Sequence, residues 1–332
     1  MSCMIVVQLT LLVVFLIILA FAANRLVYYL AELSGYYGLS TFLVSFIILG
    51  FGTSLPDLFI GAISSARGEF SLVLGTVVGA NILVVCLVLG VVTLVKGRLW
   101  IREKTIIENF GWIFFVLMIP FFLLFDGRLT LFEGLILVVV YFMYLYNVKE
   151  HQSYFRRAEG QQSLLQATEP VSRHGKPFLH KAGRTVLALA VVLAASFLVV
   201  DNALSFSKSV GVPLAVIGMS VVALGVALPE LALNLSALRA KEEEVIWGDL
   251  IGSFITELTL VLGFAALFNV PGNGLFDFGQ IAVGYLFMAI SFLLVFFFTY
   301  KKKELTRVEG IALMLLYVIF LSIQFDLLVF TK

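Results

Sequence analysis

Apolar and polar positions alternate along this chain on a coarse scale. Long runs nearly free of charge are separated by short clusters of Lys, Arg, Asp, Glu and Gly. Met4–Ala23 and Ile281–Tyr300 are the clearest runs, and ~20 consecutive apolar residues suffice for a helix to cross a bilayer. Taking the charged clusters and glycines as punctuation predicts ten helical spans, roughly 5–24, 40–66, 70–95, 105–125, 129–148, 184–206, 213–239, 244–268, 278–299 and 306–329. The first run starts close to Met1 with no basic leader and no small-residue cleavage site, so it reads as a retained helix.

Within this pattern two stretches repeat at an offset of 173 residues: Gly52-Thr53-Ser54-Leu55-Pro56-Asp57 and Gly225-Val226-Ala227-Leu228-Pro229-Glu230. The register then continues through Gly75/Gly248, Gly79/Gly252, Ile82/Ile255 and Leu87–Gly90/Leu260–Gly263. Chance similarity between apolar helices gives scattered Leu and Val matches, not aligned glycines and a proline before an acid. An internal duplication is the reading.

Composition agrees with a membrane class: 61% of the 332 residues are hydrophobic and 13% are charged, where a soluble domain carries about 25% charged residues. The net charge of +1 gives no sign of nucleic acid as a partner. Cys3 and Cys86 form no metal or disulfide framework. Lys and Arg fix an orientation: 18 fall in loops after spans one, three, five, seven and nine, against 3 (Arg67, Arg128 and Lys208) after the even spans. Cytoplasmic loops hold most such residues, so both termini are expected outside. The one long polar segment, about 149–183, carries His151, His174 and His180 and reads as a cytoplasmic connector between a first five-helix repeat (1–148) and a second (184–332). Five is odd, so the second half enters the membrane inverted, the arrangement of many secondary transporters. The expected fold is an all-α polytopic membrane protein of ten transmembrane helices in two inverted repeats.

The repeated segment has a chemistry. Pro56 and Pro229 lack an N–H, so in a helix the carbonyls of Gly52 and Gly225 lose their donors. Such orphans must face protein or a water-filled cavity. Beside them stand Asp57 and Glu230, with the Thr53 and Ser54 hydroxyls in the first half. Hard oxygens of this kind suit Ca²⁺, Na⁺ or a proton, and two carboxylates neutralise one divalent ion. Asn81 adds an amide, and Asp249, Ser253 and Glu257 recur every fourth residue on one face of span eight, where span three has Thr76, Ala80 and Val84. Asp126, Asp201 and Asp277 lie near span ends and read as interfacial.

The paired motif resembles the alpha repeats of the cation/calcium antiporter superfamily, especially the sodium/calcium exchangers. The resemblance covers spans two to three and seven to eight in detail. It implies Ca²⁺ binding by Asp57 and Glu230, with Thr53, Ser54 and Asn81 oxygens contributing to Na⁺ sites. It also implies antiport of Ca²⁺ against Na⁺ or H⁺ by alternating access, in a prokaryotic cytoplasmic membrane, with no cofactor and no enzymatic activity. Inorganic cations and the lipid bilayer are the expected partners, and the sequence leaves the oligomeric state open, a monomer being compatible with it. Four departures stand out: Asp57 is an Asp where the family has Glu, Gly79-Ala80-Asn81 lacks a serine, Val226-Ala227 replace Thr-Ser, and Phe254 replaces an amide or acid. The stripped monovalent-ion ligands predict weak Na⁺ dependence and a response to pH through Glu257, with backbone carbonyls leaving Na⁺ coordination open. A transport-impaired homologue acting as a sensor or scaffold, and a cation channel, are the alternatives.

Overall fold

The computed structural model describes residues 2–36, 54–101, 104–150, 178–241, 243–269 and 276–330. The apolar runs become helices because, in lipid, a helix satisfies its backbone polar groups within one segment. In chain order these are α1 (Ser2–Tyr36), α2 (Leu55–Ala66), α3 (Phe70–Lys96), α4 (Lys104–Leu123) and α5 (Leu131–Glu150). There follow α6 (Phe178–Val210), α7 (Leu214–Val226), α8 (Leu228–Ala240), α9 (Val245–Leu267), α10 (Phe278–Lys302) and α11 (Arg307–Phe330).

Among the described residues six helices are long and apolar enough to cross a membrane, and the α7–α8 pair, bent by 40°, makes up to seven. Leu55–Ala66, Gly111–Leu123 and Leu131–Tyr146 are shorter apolar helices. All overlap the expected spans and follow their order, with α1 and α6 running past the ends expected for them, and among the described residues six to seven of the expected ten reach crossing length. The first part of span two, 40–53, lies outside the described residues, as does most of the connector, 151–177.

α3 and α9 form the inside: 83% of the most apolar stretch of each is buried, against 22% for α1 and 28% for α11. The outer helices turn large apolar side chains outward, including Phe21, Phe132, Leu187 and Phe297, as lipid contact requires. α1 packs along α6 as a pair.

The two halves are joined by contacts that repeat the internal duplication. Gly90 of α3 meets Gly310 of α11, and its counterpart Gly263 of α9 meets Gly134 of α5. Each half thus inserts its third helix against the last helix of the other. Turns of π-helix interrupt α3 at Val84–Val88 and α9 at Glu257–Val261, again 173 residues apart. At one end of the molecule β1 (Arg98–Trp100) pairs antiparallel with β2 (Glu304–Thr306), and Ile101 donates its N–H to the Lys303 carbonyl at 2.8 Å. At the other end Phe276 donates to the Gly127 carbonyl at 3.0 Å. Lys303 and Gly127, whose carbonyls accept these bonds, both have positive φ, +52° and +76°.

The first closure is reinforced by polar contacts. Lys96 forms an ion pair with Glu243, Glu243 accepts from the Trp100 N–H at 2.7 Å, and the Trp247 indole donates to the Trp100 carbonyl at 3.1 Å. Toward the other end Arg67 pairs with Asp201 at 3.3 Å and lies over the Phe197 ring. Asp126 there accepts from the Arg128 guanidinium at 2.8 Å, which holds its carboxyl below the usual range. All three aspartates that the sequence placed near span ends lie in loops or exposed positions: Asp201 and Asp126 are exposed, and Asp277 caps α10 by accepting from the Gly279 N–H.

Candidate cation site

The two copies of the proline–acid segment make the same local structure. Ser54 precedes α2 with φ −87° and ψ 2°, and its repeat counterpart Ala227 precedes α8 with φ −79° and ψ −6°. This sparsely populated backbone region starts a new helix, and in both cases the proline falls in the first turn and the acid just after it. The expectation of a proline inside a continuous helix is therefore corrected for the second half. Pro229 opens α8 after a break, a position where a missing N–H costs nothing. Asp57 and Glu230 consequently lie at helix N-termini, whose partial positive charge favours an anionic side chain.

Gly225 has a packing role that the sequence did not show. A Cβ there would lie 2.6 Å from the Leu16 side chain of α1. Gly52 and Thr53 lie outside the described residues, and Ser54 is buried with its hydroxyl lacking a partner.

The structure brings the remaining candidates together between α2, α3, α8 and α9. Asp57, Asn81, Glu230, Asp249, Ser253 and Glu257 are each 4% exposed or less. The Asn81 amide of α3 donates to Glu257 Oε2 of α9 at 2.7 Å, a direct bond between the halves, and also to the Val77 carbonyl at 2.8 Å. Glu230 lies within charge–charge range of Asp57 and Asp249, with Ser253 beside it, and Glu257 lies within range of all three other acids. Asp57 Oδ1 and Glu230 Oε2 are buried and accept no hydrogen bond.

Asn234, missed in the sequence, belongs to this set. It lies one turn after Glu230 in α8 and is 2% exposed, and its amide donates to Asp249 Oδ2 at 2.7 Å and to the Glu230 carbonyl at 2.8 Å. The available signal was an amide four residues from an acid in an apolar helix, on the same face. Its repeat counterpart is Gly61, so a search for matched pairs passes over it.

The departures from the family motif are structural as well. Val226 and Ala227 are buried, and Phe254 is fully buried with its ring centroid 3.8 Å from that of Phe292 in α10. An apolar stack thus occupies the repeat position of Asn81. Glu257, one turn further along α9, reaches Asn81 instead.

Among the described residues, none of the four acids forms an ion pair with Lys or Arg. No three of them converge as they would about a single metal ion. They are arranged around two amides, as Asn81–Glu257 and Asn234–Asp249, with Asp57 and Glu230 offering free oxygens. Four buried carboxylates without basic partners are compensated only by protons or cations, since unpaired charge at this depth is costly.

Fold and site together define a polytopic helical membrane protein that gathers acids where two related halves meet. The chain matches the family model of the sodium/calcium exchanger protein over residues 7–149 and 180–325 and belongs to that family, whose members are exchangers and not enzymes. The sodium/calcium exchanger MaX1 of Methanosarcina acetivorans is 27% identical over 322 residues, covering 87% of this chain and 90% of that protein. The inner membrane protein YrbG of Escherichia coli is 27% identical over 266 residues, covering 79% and 80%. Among solved structures, the sodium-calcium exchanger NCX_Mj soaked with Na⁺ and Sr²⁺ has the same fold, with a TM-score of 0.57 over 96% of this chain and 99% of its own at 22% identity.

Proposed function

We propose that this protein exchanges Ca²⁺ for a monovalent cation, Na⁺ or H⁺, across the membrane by alternating access. The observation that carries the reading is the buried acid cluster with no basic partner, placed where the two halves of an exchanger-family chain meet. Asp57 and Glu230 bind Ca²⁺ through their free oxygens, one from each half, and their two charges balance the ion. Ser54, Asn81 and the backbone around Gly52, Thr53 and Gly225 supply neutral oxygens, while Asp249, Ser253 and Glu257 enlarge the set on the second half. Ca²⁺ takes six to eight oxygen ligands, and this cluster is rich in them.

The internal duplication supports the alternating-access reading. Residues 1–148 and 184–332 are the two inverted halves, joined by a cytoplasmic connector at 149–183, and the site lies at their contact. In this reading the protein resides in a prokaryotic cytoplasmic membrane, and the Lys and Arg distribution supports an orientation with both termini outside. A monomer suffices for this reading, because both halves of the site come from one chain.

A channel is the reading to exclude. Saturable Ca²⁺ counter-flow in proteoliposomes, with no conductive current under voltage, is the expected result. A Ca²⁺ current independent of any ion on the opposite side would overturn antiport.

A further inference from the structure

We propose that the β1–β2 closure binds the headgroup phosphate of an anionic phospholipid, held by Arg98 and Arg307 beside the Trp100 ring. The argument starts from the strand. Arg98 and Trp100 are two residues apart in β1 and exposed, while Leu99 between them is buried, so both side chains lie on the outward face. The Trp100 N–H and carbonyl are taken by Glu243 and by the Trp247 indole. A large apolar ring, 42% exposed, is thereby held at the end of the molecule by a fixed backbone. Indole rings at the ends of membrane helices sit at the level of the lipid headgroups.

Arg307 adds the second guanidinium. A Cβ on Gly97 would lie 3.3 Å from Arg307 Nε and 3.5 Å from Nη2, so this side chain packs on the residue next to Arg98. Arg98 approaches Glu304 only to 3.8 Å, and among the described residues Arg307 forms no ion pair. Arg98, Lys302, Lys303 and Arg307 outnumber the acids Glu304 and Glu309 at this closure, and Glu309 already accepts from the Thr306 N–H and hydroxyl. Guanidinium forks match the paired oxygens of a phosphate. The excess of positive charge selects a headgroup with net negative charge over a zwitterionic one.

The apolar surroundings select a lipid over a soluble anion. Val95 precedes β1, and Val308 and Ile311 follow Arg307 in α11; all three are exposed. Ile311 lies one turn from Arg307 on the same face of the helix. Acyl chains of the bound lipid cover these side chains, which a free phosphate leaves bare. The closure at the other end has no equivalent. Leu129, Thr130 and Gly134 stand at the repeat positions of Lys302, Lys303 and Arg307, and Arg128 there is paired with Asp126 at 2.8 Å. The lipid site therefore belongs to one leaflet.

The test uses Trp100 as its reporter. Trp247 is fully buried, and Trp112→Phe removes the remaining indole. The full-length protein is reconstituted in phosphatidylcholine vesicles in which brominated phosphatidylglycerol or brominated phosphatidylcholine replaces the same fraction of lipid. Quenching of Trp100 by phosphatidylglycerol should be the stronger, giving it the larger relative binding constant. Arg98→Gln and Arg307→Gln should each lower that constant roughly fivefold. Arg239→Gln, which removes an exposed arginine at the end of α8 outside the closure, should leave it unchanged. Inorganic phosphate, added at the concentration of the lipid phosphate, should not relieve the quenching. Equal quenching by the two lipids, an equal loss in Arg239→Gln, or relief by inorganic phosphate would each overturn the site. None of these readings depends on exchange.

Discussion

At the scale of single residues, the proposed function rests on the buried acids, two of which accept hydrogen bonds from amides. Asp57→Asn and Glu230→Gln should each abolish Ca²⁺ binding, because one remaining charge cannot balance a desolvated divalent ion. Calorimetry on the purified variants reads this directly, and near wild-type affinity in either would remove that acid from the site. Asn81→Leu tests the bond between the halves. It strips Glu257 of a buried charge-assisted donor at 2.7 Å, which should cost about 1–3 kcal/mol of stability. A thermal melt in detergent that does not shift would show the bond to be idle. The acids were legible in the sequence because ionisable residues inside apolar runs are rare and noticeable. Asn234 was not, since one amide among apolar residues has no charge to draw attention and no partner in the repeat. Glu257 was legible as a stripe with Asp249 and Ser253, but its reach to Asn81 depends on helix contacts across a separation of 176 residues.

Helices α3 and α7 show what the small residues do. A Cβ on Gly79 would collide with the backbone of Met219, and one on Gly75 with that of Ala215, while Gly218 approaches the Leu72 carbonyl in return. The two backbones therefore touch, as the small residues at a four-residue spacing predict. Gly252, the repeat counterpart of Gly79, has nothing within 4 Å of an added Cβ. Gly79→Ala should thus lower the melting temperature and the yield of monodisperse protein, by about 1–3 kcal/mol of overpacking, whereas Gly252→Ala should be neutral. Equal behaviour of the two variants would contradict the packing. The sequence treated both glycines alike because the repeat aligns them, and only the tertiary contact separates them. The start of α8 teaches the same lesson. Pro229 announced a break, but whether it kinks one helix or opens a new one depended on the backbone turn at Ala227.

The whole molecule was legible at the level of order, and least so in the packing of one half on the other. Hydrophobic runs and charge clusters placed every described helix, and α4 and α5, at 20 residues each, match the expected spans. The repeat offset of 173 foresaw the π-turns and closing contacts only in the sense that both halves should do the same thing. Which helix of one half would pack on which of the other was not written in it. The charge distribution makes a sidedness prediction. Cysteine reagents applied to intact cells should label a residue added after Lys332 but not one placed at Ser163. The opposite pattern would reverse the orientation while leaving the inverted halves intact. The central claim is exchange itself, and ⁴⁵Ca²⁺ uptake into proteoliposomes with Na⁺ and pH gradients imposed separately tests it most directly. Uptake is expected to need an outward gradient of at least one of these cations and to vanish in Glu230→Gln. Ca²⁺ uptake that proceeds without either gradient, or that persists in Glu230→Gln, would contradict it.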